Sequence, residues 1–250
     1  MRGFLSGLAE AFASFAFPPF CATCRQRMTG RRPGAICPDC WSESVRWGRG
    51  CCQRCGTVIA NGENPDALPL PLLCEKCHID GWSCRDVRCV GPFSGAMADA
   101  VHLLKYSDNR SLAGTIAGLM AETIGRDREY LAADMIVSVP LHPARKRERG
   151  YNQAQLLAEG LGRLIGIPAP DGLVVRTKHT ATQTTMGREQ RRRNVEDIFR
   201  AKRPEAIAGK TVILIDDVLT TGATIGACGQ SLLNAGAQQV FALTAAAAPL

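Results

Sequence analysis

Two carboxylates, a glycine and three threonines fall within nine residues: Asp216 and Asp217, then Thr220, Thr221, Gly222, Ala223 and Thr224. Side-by-side carboxylates suit the two hydroxyls of a ribose or the oxygen shell of a Mg²⁺ ion. Gly222 and Ala223 keep bulk out of a turn whose backbone N–H groups can then close around an anion, and the threonine hydroxyls add donors. A sugar phosphate fits that combination. A plain acidic loop at a strand end would need neither the glycine nor the threonines in this order.

Groups of this kind must be delivered together to one edge of a fold. The run Val212, Ile213, Leu214, Ile215 reads as a buried parallel strand that breaks at the acid pair, with a helix opening after the turn. Open α/β sheets hold their ligands at the carboxyl ends of strands. Residues 135–139, MIVSV, read as a second buried strand ended by Pro140. A turn carrying Arg145, Lys146, Arg147 and Arg149 follows, then a helix from about residue 153 to 164 that packs through Leu156, Leu157, Leu161 and Leu164. This second turn should lie beside the first in a parallel sheet. A solvated basic turn is the alternative for Arg145, Lys146 and Arg147, and less so for Arg149, which precedes Gly-Tyr-Asn-Gln. Residues 87–93 and 239–244 read as further strands, 173–175 as a short one, and 97–106 and 112–124 as helices, the first burying Leu103 and Leu104. Between core strands, residues 177–193 turn polar and basic, with Lys178, His179, Gln183, Arg188 and Arg191 to Arg193. A loop of that length inside a compact domain reads as a lid, spanning about 176–200, with a short helix from about Met186.

Eight of the twelve cysteines stand in CxxC pairs: Cys21 and Cys24, Cys37 and Cys40, Cys52 and Cys55, Cys74 and Cys77. Each pair bends the chain so that both thiolates face one ion, and two pairs complete a tetrahedral zinc site. Sequential pairing gives two structural sites, 21/24 with 37/40 and 52/55 with 74/77; interleaved pairing stays open. Cys51, Cys84, Cys89 and Cys228 read as packing residues, although Cys51 can stand in for Cys52. Zinc spacing of this kind belongs to a reducing compartment, which makes the cytoplasm the expected location.

The 250 residues, 46% of them hydrophobic, can bury a core and leave room for a second, smaller unit. The expected division is an amphipathic helix over 1–17, a double zinc ribbon over 18–85 and an α/β domain over 86–250. A net charge of +7 suits phosphates or nucleic acid without demanding either. Nothing in the sequence is long and apolar enough to span a membrane. Oligomeric state is not legible.

Residues 211–224, TVILIDDVLTTGAT, resemble the phosphoribosyl pyrophosphate (PRPP) motif of type I phosphoribosyltransferases. With FPPFC and its four knuckles, HLLKYSDNR, SVPLHPARKRERGYNQA, TQ followed by RRRN and IF, and LIDDVLTTGAT, the chain resembles the ComF family of bacteria over nearly its whole length. The resemblance implies an α/β fold, a type I phosphoribosyltransferase-like doubly wound parallel sheet with a small N-terminal zinc-ribbon domain. It implies that Asp216 and Asp217 hold the ribose hydroxyls, that residues 220–224 wrap the 5′-phosphate, and that Ser138, Val139 and Pro140 form the tight backbone beside pyrophosphate. Lys105, Tyr106, Arg149, Asn152, Gln153, Gln183, Arg193 and Asn194 carry over as site residues. Purine-type members of the superfamily have an acid where this chain has Thr220, so transfer to a purine is less expected.

On this reading the chain is a PRPP-binding, transferase-type protein associated with DNA uptake or utilisation, using two structural Zn²⁺ and Mg²⁺ with PRPP. Lys105, Arg149, Lys178 and Arg193 supply positive charge to a departing pyrophosphate, and His179 is the lid residue able to move a proton near neutral pH. The alternative is a non-catalytic competence factor that binds single-stranded DNA through its basic segments, with PRPP or a nucleotide as regulator. Proteins of the competence machinery are the other candidate partners.

Overall fold

The computed structural model describes residues 20–28, 35–44, 52, 74–75, 83–125, 127–177 and 198–248. The expected N-terminal helix over 1–17 and the lid residues 178–197 lie outside them.

Four strands, β1 (Asp86–Pro92), β2 (Met135–Ser138), β5 (Thr211–Leu219) and β6 (Gln239–Ala247), form a parallel sheet in the order β1-β6-β5-β2. Its strands read as continuous apolar runs because both faces are covered. On one face Ile213, Ile215, Phe241 and Leu243 pack with residues of α2 (Gly95–Tyr106), α3 (Leu112–Ile124) and α6 (Gln153–Ile165). On the other, Val212, Leu214, Val240 and Ala242 meet Ile225, Cys228 and Leu232 of α8 (Ala223–Asn234). That alternation is the two-residue period of a strand, and it makes the sheet doubly wound. Short helices α4 (Arg128–Leu131) and α7 (Pro204–Ile207) precede β2 and β5. A separate antiparallel pair, β3 (Val174–Arg176) and β4 (Phe199–Ala201), joins Val174 to Ala201 and Arg176 to Phe199. Thr177 and Ile198, which flank the segment expected to be a lid, close this two-stranded pair, the Thr177 N–H donating to Ile198 O at 2.8 Å.

Four expectations change. The strand at the acid pair does not break there: β5 runs on to Leu219, because β6 extends beside it to Ala247 and pairs with Val218 and Leu219. The last strand, expected over 239–244, runs on to Ala247, with Ala245, Ala246 and Ala247 all buried in the sheet. The basic turn after β2 is a short helix, α5 (Pro143–Arg149), which starts on proline, is capped by His142 Nδ1 accepting from the Ala144 N–H at 3.2 Å, and stops at Gly150 with φ 78°. Leu164 is 58% exposed, since it sits in the last turn of α6, past the neighbours that cover Leu157 and Leu161.

The first zinc knuckles sit against this sheet. Cys21, Ile36 and Cys40 belong to the same buried cluster as Met97, Val101 and Leu104 of α2, and α1 (Pro38–Ser44) packs against α2.

Candidate functional site

Successive side chains of a strand point to opposite faces, and the acid pair follows that rule. Asp217 faces α2, where its Oδ1 lies 2.9 Å from Lys105 Nζ, with only 13% and 20% of the two side chains exposed. Asp216 lies on the face of α8 and β3, where its charge is felt by Cys228 and Arg176. Burial pushes its carboxyl well above the ordinary range, and the neighbouring Asp217 adds to the effect. The Asp217 N–H, donating to Asp216 Oδ1 at 2.8 Å, offsets part of it, as do the charges of Lys105 and Arg176. The two neighbouring charges thus disfavour each other, and a cation or a hydroxyl donor set against Asp216 relieves it. The donor set, two carboxylates with oxygen donors only, fits a hard divalent cation.

Beyond Leu219 the chain turns through Thr220 and Thr221, both exposed, to Gly222 at φ 76°. That left-handed conformation favours glycine, and α8 opens directly after it. Thr221 Oγ1 accepts from the Ala223 N–H at 3.4 Å, while Gly222 supplies no side-chain cap. A helix of twelve residues opening in this way presents partial positive charge to an anion.

β2 lies directly beside β5, with Ser138 opposite Ile215, so the two turns are neighbours. Around the second turn the polar groups are tightly engaged. The Val139 N–H donates to Ile215 O at 2.8 Å, Val139 O accepts from Asn152 Nδ2 at 3.0 Å, and Ser138 Oγ donates to Gln155 Oε1 at 2.7 Å. Asn152 also caps α6 by accepting from the Ala154 N–H. Val139 and Pro140 consequently have no N–H to offer an anion, and Ser138 serves the scaffold. Gln153 is fully buried, and its amide has no hydrogen-bond partner among the described residues.

Arg149, Gly150 and Tyr151 grip the end of α2. The Tyr151 hydroxyl donates to Leu104 O, the Arg110 guanidinium lies 4.4 Å over the Tyr151 ring, and Arg149 lies 5.1 Å over the Tyr106 ring. Lys105 is therefore held from both sides, by Asp217 and by the anchored last turn of its helix. Arg145, Lys146 and Arg147 are exposed, whereas Arg149 is partly buried. Lys178, His179, Gln183, Arg193 and Asn194 lie outside the described residues.

Cys21, Cys24, Cys37 and Cys40 bring their sulfurs within 4.8 Å of one another. The Cys21–Cys40 and Cys24–Cys37 separations are 3.9 and 3.8 Å. A tetrahedron of thiolates about 2.3 Å from zinc has edges of about 3.8 Å, so the four residues fit the ion. Burial raises the Cys21 thiol, but N–H groups of Cys37, Cys24 and Thr23 outweigh it and bring it down to about 6. The Cys37 thiol and burial push Cys40 the other way. Sequential pairing of the first two knuckles is what the fold assembles. Of the second set, Cys52 and Cys74 are buried, and Cys55 and Cys77 lie outside the described residues.

The double zinc ribbon domain family matches residues 12–78, and the phosphoribosyl transferase domain family matches residues 148–249. Over 226 residues the chain is 30% identical to DNA utilization protein YhgH of Escherichia coli K12, which covers 89% of this chain and 94% of that protein. The chain belongs to the ComF family. Other ComF-type relatives include competence protein F of Haemophilus influenzae, 30% identical over 60% of this chain and 68% of that protein, and competence protein ComFC of Streptococcus pneumoniae, 29% identical over 82% and 84%. Among solved structures, the glutamine PRPP amidotransferase of B. subtilis aligns with a TM-score of 0.39 and 19% identity, over 54% of this chain and 26% of that one. With the family matches and the sheet order described above, the fold is a phosphoribosyltransferase-like parallel sheet joined to a zinc ribbon. Sequence reasoning did not bring Arg176 near Asp216, nor find the hold of Tyr151 on α2. Arg176 closes a short strand next to the polar stretch, a charged residue where an edge strand usually fades. Tyr151 stood within the quoted motif, but its partner is 47 residues away.

Proposed function

We propose that this ComF protein binds PRPP with Mg²⁺ and transfers its phosphoribosyl group to an acceptor. One observation carries the reading: Lys105 on Asp217, at a strand edge that turns through left-handed Gly222 into the start of α8. In this arrangement Asp216 and Asp217 receive the ribose hydroxyls, and residues 220–224 receive the 5′-phosphate. Carboxylate oxygen of this pair would hold Mg²⁺, which would supply positive charge to the pyrophosphate. The bond from the anomeric carbon to the pyrophosphate oxygen breaks, the oxygen keeps the electron pair, and the carbon bonds to the acceptor atom, whose proton passes to solvent. Positive charge develops on the sugar and negative charge on the leaving group, so fixed cations govern the barrier. Lys105 is the described residue best placed to balance the acids, Arg149 stands beside it across Tyr106, and Lys178, His179 and Arg193 belong to the lid expected to exclude water. Since Val139 and Pro140 lack available N–H groups, the pyrophosphate depends on side-chain cations and on backbone beyond Pro140.

The relatives carry names of DNA utilisation and competence, and we assign this protein to the same setting, the handling of imported DNA, working alongside competence proteins. Zinc thiolates need a reducing compartment, so we assign it to the cytoplasm. Among the described residues no helix is long and apolar enough to cross a membrane.

The test is pyrophosphate release from PRPP and Mg²⁺ as heterocyclic acceptors are added one at a time. We expect release with at least one acceptor, and its loss in Lys105→Met. PRPP that is bound but never consumed with any acceptor would reduce the protein to a PRPP-responsive binding factor.

A further inference from the structure

Three successive residues at the end of α2 are each held by a different group. Leu104 O accepts from the Tyr151 hydroxyl, Lys105 Nζ lies 2.9 Å from Asp217 Oδ1, and the Tyr106 ring lies 5.1 Å from the Arg149 guanidinium. A helix leaves its last carbonyls without partners inside the helix. The Ser107 N–H takes up Leu103 O at 3.0 Å, and the chain then leaves the helix at Asp108, whose φ of 49° is left-handed. Leu104 O is served by Tyr151 instead. The reach of Lys105 therefore depends on where the Tyr151 ring stands.

That ring follows Gly150, which sits at φ 78° and has no side chain to brace its neighbour. Arg110 supplies the brace. Its guanidinium lies 4.4 Å over the Tyr151 ring, its Nε is 2.7 Å from Asp108 Oδ1, and a Cβ placed at Gly150 would come 3.9 Å from its Nη2. The pair of Arg110 with Asp108 is exposed, and such a pair contributes little by itself. A planar cation laid on a ring is worth more, and the Tyr151 ring beneath Arg110 is buried.

We propose that Arg110 is a positioning residue for Lys105: by pressing on Tyr151 it holds the last turn of α2 where Lys105 meets Asp217. The connection runs from Asp108 to Arg110, Tyr151 and Leu104, and through one peptide bond to Lys105 and Asp217. It also ties the segment that follows α5 to the end of α2. Its consequence for PRPP rests on the transferase reading above.

Lysine acylation reads the position of Lys105 without any ligand. Full-length, zinc-loaded wild type, Arg110→Ala and Arg110→Lys, matched for folding by circular dichroism, are treated briefly with N-hydroxysuccinimidyl acetate. Peptide mass spectrometry then measures modification of Lys105 against that of Lys210, an exposed lysine just before β5. The expected ratio rises about threefold or more in Arg110→Ala and stays near wild type in Arg110→Lys, which keeps a cation on the ring. In titrations with PRPP and Mg²⁺, affinity should fall about tenfold in Arg110→Ala, and the same substitution should cost nothing further in Lys105→Met. A purely structural role would weaken PRPP binding equally in both backgrounds. Unchanged Lys105 reactivity in Arg110→Ala, or equal losses with and without Lys105, overturns the proposal. Wild type that fails to bind PRPP removes the transferase reading, and the acylation result still decides whether Arg110 positions Lys105.

Discussion

Asp216 is the carboxyl that burial raises most among the described residues. Its carboxyl is raised from the ordinary 3.8 to about 8, by burial first and by Asp217 second. Between those values the native protein holds a proton that the unfolded chain has lost, so this group makes stability fall as pH rises through that window. Asp216→Asn removes that dependence: thermal melts of the variant should gain on wild type as pH goes from 5 to 8, and melts that stay parallel would contradict the assignment. The same sign governs binding. A cation against Asp216 lowers its pKa, so binding PRPP with Mg²⁺ at about pH 7 should release protons. Calorimetry in buffers of different ionisation enthalpy reads that release, which Asp216→Asn should abolish and Lys105→Met should move to higher pH.

At the scale of elements, the ligand-bearing edge was legible and its supports were not. The apolar run before Asp216 and the run before Pro140 announced two adjacent parallel strands, and β5 and β2 are paired in register. Glycine at position 222 announced the left-handed turn. Periodicity could not say where β5 ends, because an acid pair reads as a break although the ladder to β6 continues past it. Nor could it separate a basic turn from α5, whose seven residues bury no side chain and so leave no apolar rhythm. The grip of Tyr151 on α2 is a contact between distant segments, invisible to any local pattern. Tyr151→Phe keeps the ring under Arg110 and removes one buried hydrogen bond. We expect a loss of about 0.5–1.5 kcal/mol in stability, with weaker PRPP binding because the last turn of α2 carries Lys105. Unchanged PRPP affinity in the folded variant would show that α2 needs no such anchor.

Across the whole molecule the thiolate site and the proposed phosphoribosyl site are connected through α2. Cys21 and Cys40 share a buried cluster with Met97 and Leu104, and α1 lies against the same helix. Zinc binding to such a site is folding free energy for the segment that holds it. A chelator should therefore lower the melting temperature and weaken PRPP binding together. Metal analysis of the intact chain should find two zinc ions, and Cys21→Ser with Cys40→Ser should lose one of them. A chelated protein with full PRPP affinity would mean that the zinc ribbon and the sheet act independently. The central claim is the PRPP site itself, and calorimetry with Mg²⁺ tests it most directly, on wild type and on Asp216→Asn with Asp217→Asn, both checked for folding by circular dichroism. The account predicts one PRPP per chain in the wild type and none in the double variant. Equal binding in both, or no binding by folded, zinc-loaded wild type, would contradict it.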